Sequence, residues 1–473
     1  MSGQAKRRMV LVTSNGWGLG HLSRELAIAL AIGDRAEVIM FSFSRGLPLA
    51  AEFGLRGEFC PGPDSPWIPQ DRWNKYVERR FELFLDEVMP EVVLFDGVAP
   101  YIGVINALRK RPAISAGWLR RGMWRAGPTD GQLAKSTAFD FIIEPGDIAA
   151  DADTGPTASL PAIRVPPVSL LEVVPALGRT EAAAALGLDP NRPALLLGLG
   201  LGLPGDPVDA RRAVIERALQ HTAWQVGFIT SPLADRSSNT TGDPIQSDDA
   251  SNLVPIDSVY PLIRYLAAFD AAINAAGYNS VHELIPARVP TLFIPKLASR
   301  TDNQTARAAF LEQRGLALTA SQDDVAAIEH QVDNLLGDAR AGLAERLNEI
   351  PVEALMGGAG AVADILATSA PVGIRETGTD DWRQPGFKGW AKRAIPPAGV
   401  RLAQRVLGRP TPGHPPGPLS LEPGESSIGL LVSDDLDAVS RSNRQPVEHL
   451  LHDASSAYGE ARRTIIHEFY DLE

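Results

Sequence analysis

The sequence has little of what disulfide-stabilised, membrane-spanning or nucleic-acid-binding proteins need. Cys60 is the only cysteine among 473 residues, which excludes an intramolecular disulfide and argues against a cysteine-built zinc site. No apolar run approaches the roughly 18 residues that a membrane-spanning helix requires. The net charge of -12 argues against nucleic-acid binding, because phosphate backbones are held by clustered lysine and arginine. We therefore expect a protein of a reducing cytoplasm that binds no nucleic acid.

Apolar runs typical of buried strands alternate with helical patterns along most of the chain. In the first part, the strand-like runs fall at 9–13, 36–43, 91–95, 112–117 and 139–144. In the second part, they fall at 194–199, 224–229, 271–274 and 291–295. Strands that alternate with helices form parallel sheets. The sequence therefore predicts an α/β protein with two Rossmann-like, doubly wound domains that face a cleft, followed by a Pro-rich C-terminal extension.

Changes in composition mark the limits of these units. Residues 147–175 are rich in Pro, Ala, Asp and Thr, which is typical of an interdomain crossing. We predict a first domain over 1–165, a second over 166–370 and a partly flexible extension over 371–473. Within the extension, 382–409 carries seven basic residues, three aromatic residues and no acidic one. This segment is either a peripheral contact with an anionic membrane surface or a solvated or enzyme-packed arm.

A glycine-rich turn links the first strand to the first helix and ends in a histidine. Gly16, Gly18 and Gly20 allow the backbone to approach a phosphate or an acceptor. Their spacing differs from the dinucleotide fingerprint, which has its third glycine three residues after the second. His21 can accept a hydroxyl proton near neutral pH and is the predicted catalytic base. The alternative is a histidine that caps its own helix or bonds a backbone carbonyl.

A second motif follows a predicted strand of the second domain. Gly277 opens a helix whose first amides can hold a diphosphate, and Tyr278 and Asn279 follow it. Ser280 can add a hydroxyl to those phosphates, and Glu283 can accept hydrogen bonds from both hydroxyls of a ribose. The alternative is a capping box formed by Ser280 and Glu283. The motif predicts the donor-binding helix.

Two further stretches complete the predicted donor site. The turn after the first strand of the second domain contains Gly200 and Gly202, which we expect to contact the diphosphate. A polar loop further on contains Asp302 and Gln304, whose side-chain types hydrogen-bond sugar hydroxyls. Taken alone this loop is ordinary surface polarity, but its distance after Glu283 favours a role in donor binding.

The stretch 118–125 places two tryptophans among three arginines, directly after a first-domain strand. Such a set suits a phosphate-bearing or lipid-linked acceptor. The alternative is a loop that packs on its own domain.

Together these motifs resemble the GT-B glycosyltransferases related to the bacterial enzyme that adds N-acetylglucosamine to the lipid-linked peptidoglycan precursor (glycosyltransferase family 28-like). The resemblance covers roughly residues 9–366. The family's donor signature falls on Gly277, Ser280 and Glu283, and its sugar-contacting glutamine falls on Gln304. Its glycine-and-histidine motif falls on Gly16, Gly18, Gly20 and His21. The chain departs from the family at Arg307, near which the family often has an asparagine.

The resemblance implies an inverting glycosyltransferase that uses a nucleotide-diphosphate sugar, with a UDP-sugar favoured, and needs no metal or other cofactor. His21 would deprotonate the acceptor hydroxyl while the second domain stabilises the leaving nucleoside diphosphate. The acceptor would be a small molecule, a glycan or a lipid-linked molecule in cell-envelope or glycoconjugate biosynthesis. Two alternatives stay open: a nucleotide-sugar epimerase of the same fold, which needs no acceptor, and a degenerate sugar-binding protein without turnover.

Overall fold

The structure is a computed structural model that describes residues 6–14, 19–63, 70–127, 129–199, 208–229, 233, 252–257, 259–297, 299 and 301–371. Four predicted site residues lie outside the described residues, namely Gly16, Gly18, Gly200 and Gly202. The predicted extension, including the basic segment 382–409, also lies outside them, apart from residue 371.

The first part of the chain forms a seven-stranded parallel sheet. Its strands are β1 (Arg7–Thr13), β2 (Ala36–Ser42), β3 (Arg56–Phe59), β4 (Val92–Asp96), β5 (Ser115–Leu119), β6 (Phe141–Pro145) and β7 (Ile163–Val165), in the order β3-β2-β1-β4-β5-β6-β7. The α-helices between them are α1 (Gly20–Ile32), α2 (Leu47–Ala51), α3 (Gln70–Val88), α4 (Ile102–Arg109) and α5 (Asp130–Leu133). Short 3-10 helices cover Gly33–Arg35, Ala134–Ala138 and Ala150–Ala152.

The second part forms a six-stranded parallel sheet. Its strands are β8 (Ala194–Gly198), β9 (Gln225–Ile229), β10 (Leu253–Ile256), β11 (Ala271–Asn274), β12 (Thr291–Phe293) and β13 (Leu318–Thr319), in the order β10-β9-β8-β11-β12-β13. The helices are α6 (Arg179–Ala185), α7 (Val208–Gln220), α8 (Tyr278–Leu284), α9 (Gln304–Gln313), α10 (Val325–Leu336), α11 (Ala339–Glu349) and α12 (Gly358–Thr368). Short 3-10 helices cover Leu170–Glu172, Leu262–Ala268 and Val352–Leu355.

Each sheet has a central pair of neighbouring strands at which the chain changes direction along the sheet. In the first sheet β1 pairs with β4 and places Thr13 beside Asp96 at the carboxyl edge. In the second sheet β8 pairs with β11 and places Gly198 beside Asn274. β4 is buried at every position because helices cover both faces of the sheet. Ligand sites of open α/β sheets form at such switch points, so these two edges position the site.

The last described helix returns to the first sheet. α12 packs on α1, and the Arg7 guanidinium donates to the carbonyl of Leu366 at 3.0 Å near the end of that helix. At its start, the Gly358 amide donates to the Pro167 carbonyl at 3.2 Å. β7, at the edge of the first sheet, ends at Val165, next to the predicted domain boundary. α12 falls within the predicted second domain, 166–370, although it packs on α1 of the first domain. The domain limits themselves stay a prediction.

One local prediction differs from the structure. Gln304, predicted in a polar loop, is the first residue of α9, and the Asn303 side chain caps this helix by accepting from the Ala306 amide at 3.2 Å. Pro351 and Gly357, which has a positive φ, lie between α11 and α12 and separate these two helices. Among the described helices, none has the length and apolar content needed to span a bilayer.

Candidate functional site

His21 and Asp96 meet at the carboxyl edge of the first sheet. His21 is the second residue of α1, and Asp96 is the last residue of β4. His21 Nδ1 lies 2.9 Å from Asp96 Oδ1, and the Asp96 side chain is fully buried. When Nδ1–H donates to this carboxylate, Nε2 carries no proton and can act as a base. Among the described residues, the ring contacts the side chains of Asp96 and Arg24, and neither predicted alternative, a helix cap or a bond to a backbone carbonyl, is seen.

Electrostatics keep this pair in its working state. Burial lowers the pKa of His21, and the Asp96 carboxylate opposes that shift, so the imidazole is neutral at neutral pH. Burial alone would raise the pKa of Asp96, but the charge of Arg24 and the hydrogen bond to His21 hold this pKa below its ordinary value. Burial also raises the pKa of the neighbouring Glu25 well above its ordinary value.

Arg24 lies one turn after His21 on α1 and holds the aspartate in place. Its Nε donates to Asp96 Oδ2 at 3.0 Å and its Nη2 to Oδ1 at 2.8 Å. Nη2 also lies 2.7 Å from His21 Nδ1. Because arginine only donates, a bond from Nη2 to Nδ1 would require the opposite tautomer, so the competition between Arg24 and Asp96 sets the protonation of the ring. Sequence reasoning missed both Arg24 and Asp96; the signals were the three-residue spacing on one helix and an acid at the end of an apolar strand.

Asn279 joins this cluster to the second domain. Arg24 Nη1 donates to Asn279 Oδ1 at 3.1 Å, and Asn279 Nδ2 donates to the Gly20 carbonyl at 3.2 Å. Asn279 is the second residue of α8. The predicted base and the predicted donor-binding helix are therefore brought together by direct hydrogen bonds.

The donor motif begins α8, although not as a capping box. Gly277 is the N-cap residue and Ser280 lies inside the helix, where its hydroxyl donates to Asn274 Oδ1 at 3.4 Å. The capping-box alternative for Ser280 and Glu283 is therefore wrong. Glu283 is half-buried, and the partial removal of its carboxyl group from water raises its pKa to about 8. The Tyr278 hydroxyl accepts a hydrogen bond from the Val168 amide at 3.1 Å, so its polar group is already used within the predicted second domain.

Asp302 and Gln304 belong to a buried polar network. Gln304 Nε2 donates to Asp302 Oδ2 at 3.2 Å, and Gln304 Oε1 accepts from the Lys296 amide at 3.0 Å. Arg307 Nη2 donates to Asp302 Oδ1 at 3.0 Å, and Arg307 Nε donates to Asp147 Oδ2 at 2.9 Å. Arg307, the residue at which the chain departs from the family pattern, therefore forms an ion pair that links the two domains. Burial opposes the charge on Arg307, but the two carboxylates raise its pKa.

The stretch 118–125 is packed between structural partners. The Trp118 indole is buried and donates to the Gly97 carbonyl at 2.9 Å. Trp124 is buried and forms an isolated bridge with Asp302. The packed-loop alternative therefore describes both tryptophans, which do not form an exposed acceptor surface.

Three comparisons place the chain among known proteins. No family model matches the sequence. The chain is 30% identical over 277 residues to a UDP-N-acetylglucosamine--N-acetylmuramyl-(pentapeptide) pyrophosphoryl-undecaprenol N-acetylglucosamine transferase of Burkholderia cenocepacia, a match that covers 55% of this chain and 66% of the relative. It therefore spans just under two thirds of that relative's length.

Solved structures show the fold. MurG of Acinetobacter baumannii matches with a TM-score of 0.50 and 16% identity over 77% of this chain and 100% of that chain. A putative UDP-N-acetylglucosamine 2-epimerase of Listeria monocytogenes matches with a TM-score of 0.54 and 12% identity over 76% of this chain and 94% of that chain. At these identities the likeness concerns the fold alone, and it does not separate transferases from epimerases.

The two parallel sheets and their neighbours define a protein of the two-domain GT-B architecture, as the sequence predicted. The sequence comparison is more specific, because the curated relatives at 29–30% identity are N-acetylglucosamine transferases. The chain is similar in sequence to the family that includes the lipid-linked peptidoglycan precursor N-acetylglucosaminyltransferase, and it has the fold of GT-B glycosyltransferases.

Proposed function

We propose that this protein transfers a sugar from a nucleotide-diphosphate sugar to an acceptor hydroxyl, with inversion and without a metal. The observation that carries the proposal is the His21–Asp96 pair at 2.9 Å, tied by Arg24 to the first turn of α8. The name of the curated relative contains UDP-N-acetylglucosamine, which supports a UDP-sugar as the donor.

In the proposed reaction, His21 Nε2 takes the proton of the acceptor hydroxyl while the oxygen attacks the anomeric carbon. The bond between that carbon and the diphosphate oxygen breaks, and the nucleoside diphosphate leaves with the electron pair. Asp96 stabilises the imidazolium that forms. Attack opposite the leaving group in a single displacement inverts the anomeric centre.

The donor side of the site remains a set of proposed roles. Ser280 is proposed for the phosphates and Glu283 for the ribose, since both lie on α8 near the cluster that contains Asn279. Asp302 and Gln304 are proposed for the sugar. Because both side chains now bond inside the protein, contact with a sugar requires Gln304 to exchange its bond to Asp302.

Epimerase activity is the second candidate function, because the same fold is found in the putative UDP-N-acetylglucosamine 2-epimerase of Listeria monocytogenes. An epimerase consumes donor without an acceptor, whereas the paired base on the first domain serves an acceptor hydroxyl. Incubation of the nucleotide-sugar alone, followed by chromatography, separates the two. Conversion of the donor to an equilibrium mixture with a second nucleotide-sugar would favour the epimerase, and turnover only with added acceptor would favour transfer.

The acceptor is proposed to be a small molecule, a glycan or a lipid-linked molecule, handled in the cytoplasm or at the inner face of the membrane. Peripheral contact through 382–409 stays a prediction, since those residues lie outside the described part. Among the described residues, no group of three or more His, Cys, Asp or Glu side chains could hold a metal ion. Metal independence requires full transfer activity in excess chelator, and lost activity that Mg²⁺ or Mn²⁺ restores would refute it.

A thermal-shift screen against UDP, GDP, TDP and ADP tests the donor site first. A ligand at 100 times its dissociation constant adds about 2.7 kcal/mol of stability, which raises the melting temperature measurably. We expect one diphosphate to stabilise the wild type and the Glu345→Ala control, whose substituted residue is exposed on α11, but not Glu283→Ala. Equal stabilisation of all three proteins would remove Glu283 from the site. No shift with any nucleotide would favour a degenerate protein.

A further inference from the structure

Two of the three arginines in the stretch 118–125 have structural partners. Arg120 Nη2 donates to Glu144 Oε2 at 3.3 Å inside the first domain. Arg125 Nη1 donates to the Leu297 carbonyl at 3.2 Å, which fixes it against the second domain. Both side chains are therefore held in place by hydrogen bonds within the protein.

Arg121 has a different environment. Its Nη1 lies 3.9 Å from Asp302 Oδ2, which is an ion pair but too long for a hydrogen bond, and its side chain is only 17% exposed. Within the described part of the chain, no acceptor lies within hydrogen-bond distance of this guanidinium. Asp302 already accepts from Arg307 and Gln304. Arg121 therefore has donors from which no described residue accepts a hydrogen bond, and these are open to the oxygens of a ligand.

The position of Arg121 relates it to both halves of the proposed site. The guanidinium carbon lies 5.9 Å from the ring centroid of Tyr278, the first residue of α8. It is also close enough to His21 that its charge lowers the pKa of that ring. Burial lowers the pKa of Arg121 itself, which is the expected result of desolvation without full compensation. Arg121 therefore lies near both the predicted base and Tyr278, the first residue of the donor helix.

We propose that Arg121 binds a diphosphate group of a substrate, carried either by the nucleotide donor or by a phosphate-bearing acceptor. The planar guanidinium matches two phosphate oxygens at once, and a positive charge near the base and the donor helix stabilises a leaving diphosphate. The inference rests on the proposed function for its choice of ligand. The amino-acid sequence alone does not single out this arginine, because its neighbours Arg120 and Arg125 have the same charge.

Calorimetric titration with inorganic pyrophosphate, UDP and uridine tests the inference on the full chain. We expect Arg121→Gln to weaken pyrophosphate binding at least about 10-fold, the effect of losing a charge-assisted hydrogen bond, and to leave uridine binding unchanged. Arg121→Lys should retain part of the affinity. Arg111→Gln removes the same charge from an exposed ion pair with Asp86 at the end of α4 and should bind like the wild type.

Comparison of the UDP and pyrophosphate titrations identifies the source of the diphosphate. A parallel loss of UDP affinity in Arg121→Gln assigns the group to the donor, and unchanged UDP affinity with weakened pyrophosphate binding assigns it to the acceptor. The inference is overturned if Arg121→Gln binds both anions like the wild type, if the wild type binds neither, or if uridine binding falls equally. Failure of the proposed function would look different: pyrophosphate binding would still depend on Arg121 while no sugar transfer was found.

Discussion

Removal of Arg307 is expected to destabilise the protein strongly at neutral pH. The side chain is completely buried and contacts Asp147, which is 5% exposed, and Asp302, which is 10% exposed. Arg307→Met keeps much of the volume but leaves two buried carboxylates without their cation. Breaking a buried ion pair costs about 3–5 kcal/mol. For domains of this size, that corresponds to a melting temperature lower by roughly 6–20 °C.

The pH dependence of this loss has a definite sign. Burial alone would raise the pKa values of Asp147 and Asp302, but Arg307 holds both below their ordinary values. In the wild type, the stability from these carboxylates is therefore full above the unfolded pKa of about 3.9 and is lost as pH falls through the lower folded values. In Arg307→Met burial dominates, the folded pKa values rise, and protonation relieves the penalty. The difference in melting temperature between wild type and variant should narrow from pH 7 to pH 5.

Differential scanning calorimetry of four proteins measures both effects. They are the wild type, Arg307→Met, Asp302→Asn and the double variant. Asp302→Asn in the Arg307→Met background should recover part of the lost stability, because it removes one of the unpaired charges, and the cycle gives the coupling between the two groups. A loss below about 1 kcal/mol at pH 7, the range of exposed ion pairs, would refute the reasoning, as would a gap that widens on acidification.

Three shorter predictions follow. Asp96→Asn should lower kcat by about 10²–10⁴-fold with little change in donor affinity, because either orientation of the new amide places its NH₂ group against His21, the proposed base, or against Arg24; unchanged release of nucleoside diphosphate would contradict this. Gly358→Ala should lower the melting temperature, because its Cβ would lie 2.2 Å from the Pro166 carbonyl oxygen. The Cβ of Gly360→Ala meets no heavy atom within 4 Å, and this variant should gain about 0.5–1 kcal/mol of stability. Melting-temperature shifts of the same sign in the two variants would count against the packing described. Burial raises the pKa of Cys60 to about 12, so a thiol reagent at pH 8 should label the native protein far more slowly than the urea-unfolded protein, and equal rates would show that this thiol is accessible.

The central strands and long helices were predictable because their apolar patterns are long and bounded by glycine or polar turns. β4, for example, is a continuous apolar run that ends at an acid, as buried parallel strands do. Short elements were not predicted. β13, for example, has only two residues, too few to show the alternation of apolar and polar residues typical of a strand. The helix α9 was hidden because its capping asparagine and first glutamine have the composition of a loop.

For the candidate site, too, local features were predictable from the sequence and distant partners were not. His21 and Glu283 were predicted from local spacing, but Asp96, the side chain paired with His21, comes from elsewhere in the chain. Asp96 is 75 residues from His21 in sequence. Asp147 is 160 residues from Arg307, so no motif could link them. Arg307 was noticed only as a departure from a family pattern, and its physical role became visible only with the contact between the domains.

The return of the chain through α12 limits how this protein could be recombined with its relatives. α12 packs on α1, and Arg7 at the beginning of β1 donates to carbonyls at the end of that helix. A fragment that stops at 165 would expose an apolar surface of α1 to water. A hybrid enzyme built to exchange donor specificity would therefore need two junctions, one near 166 and one between α11 and α12, so that the final helix stays with the domain on which it rests.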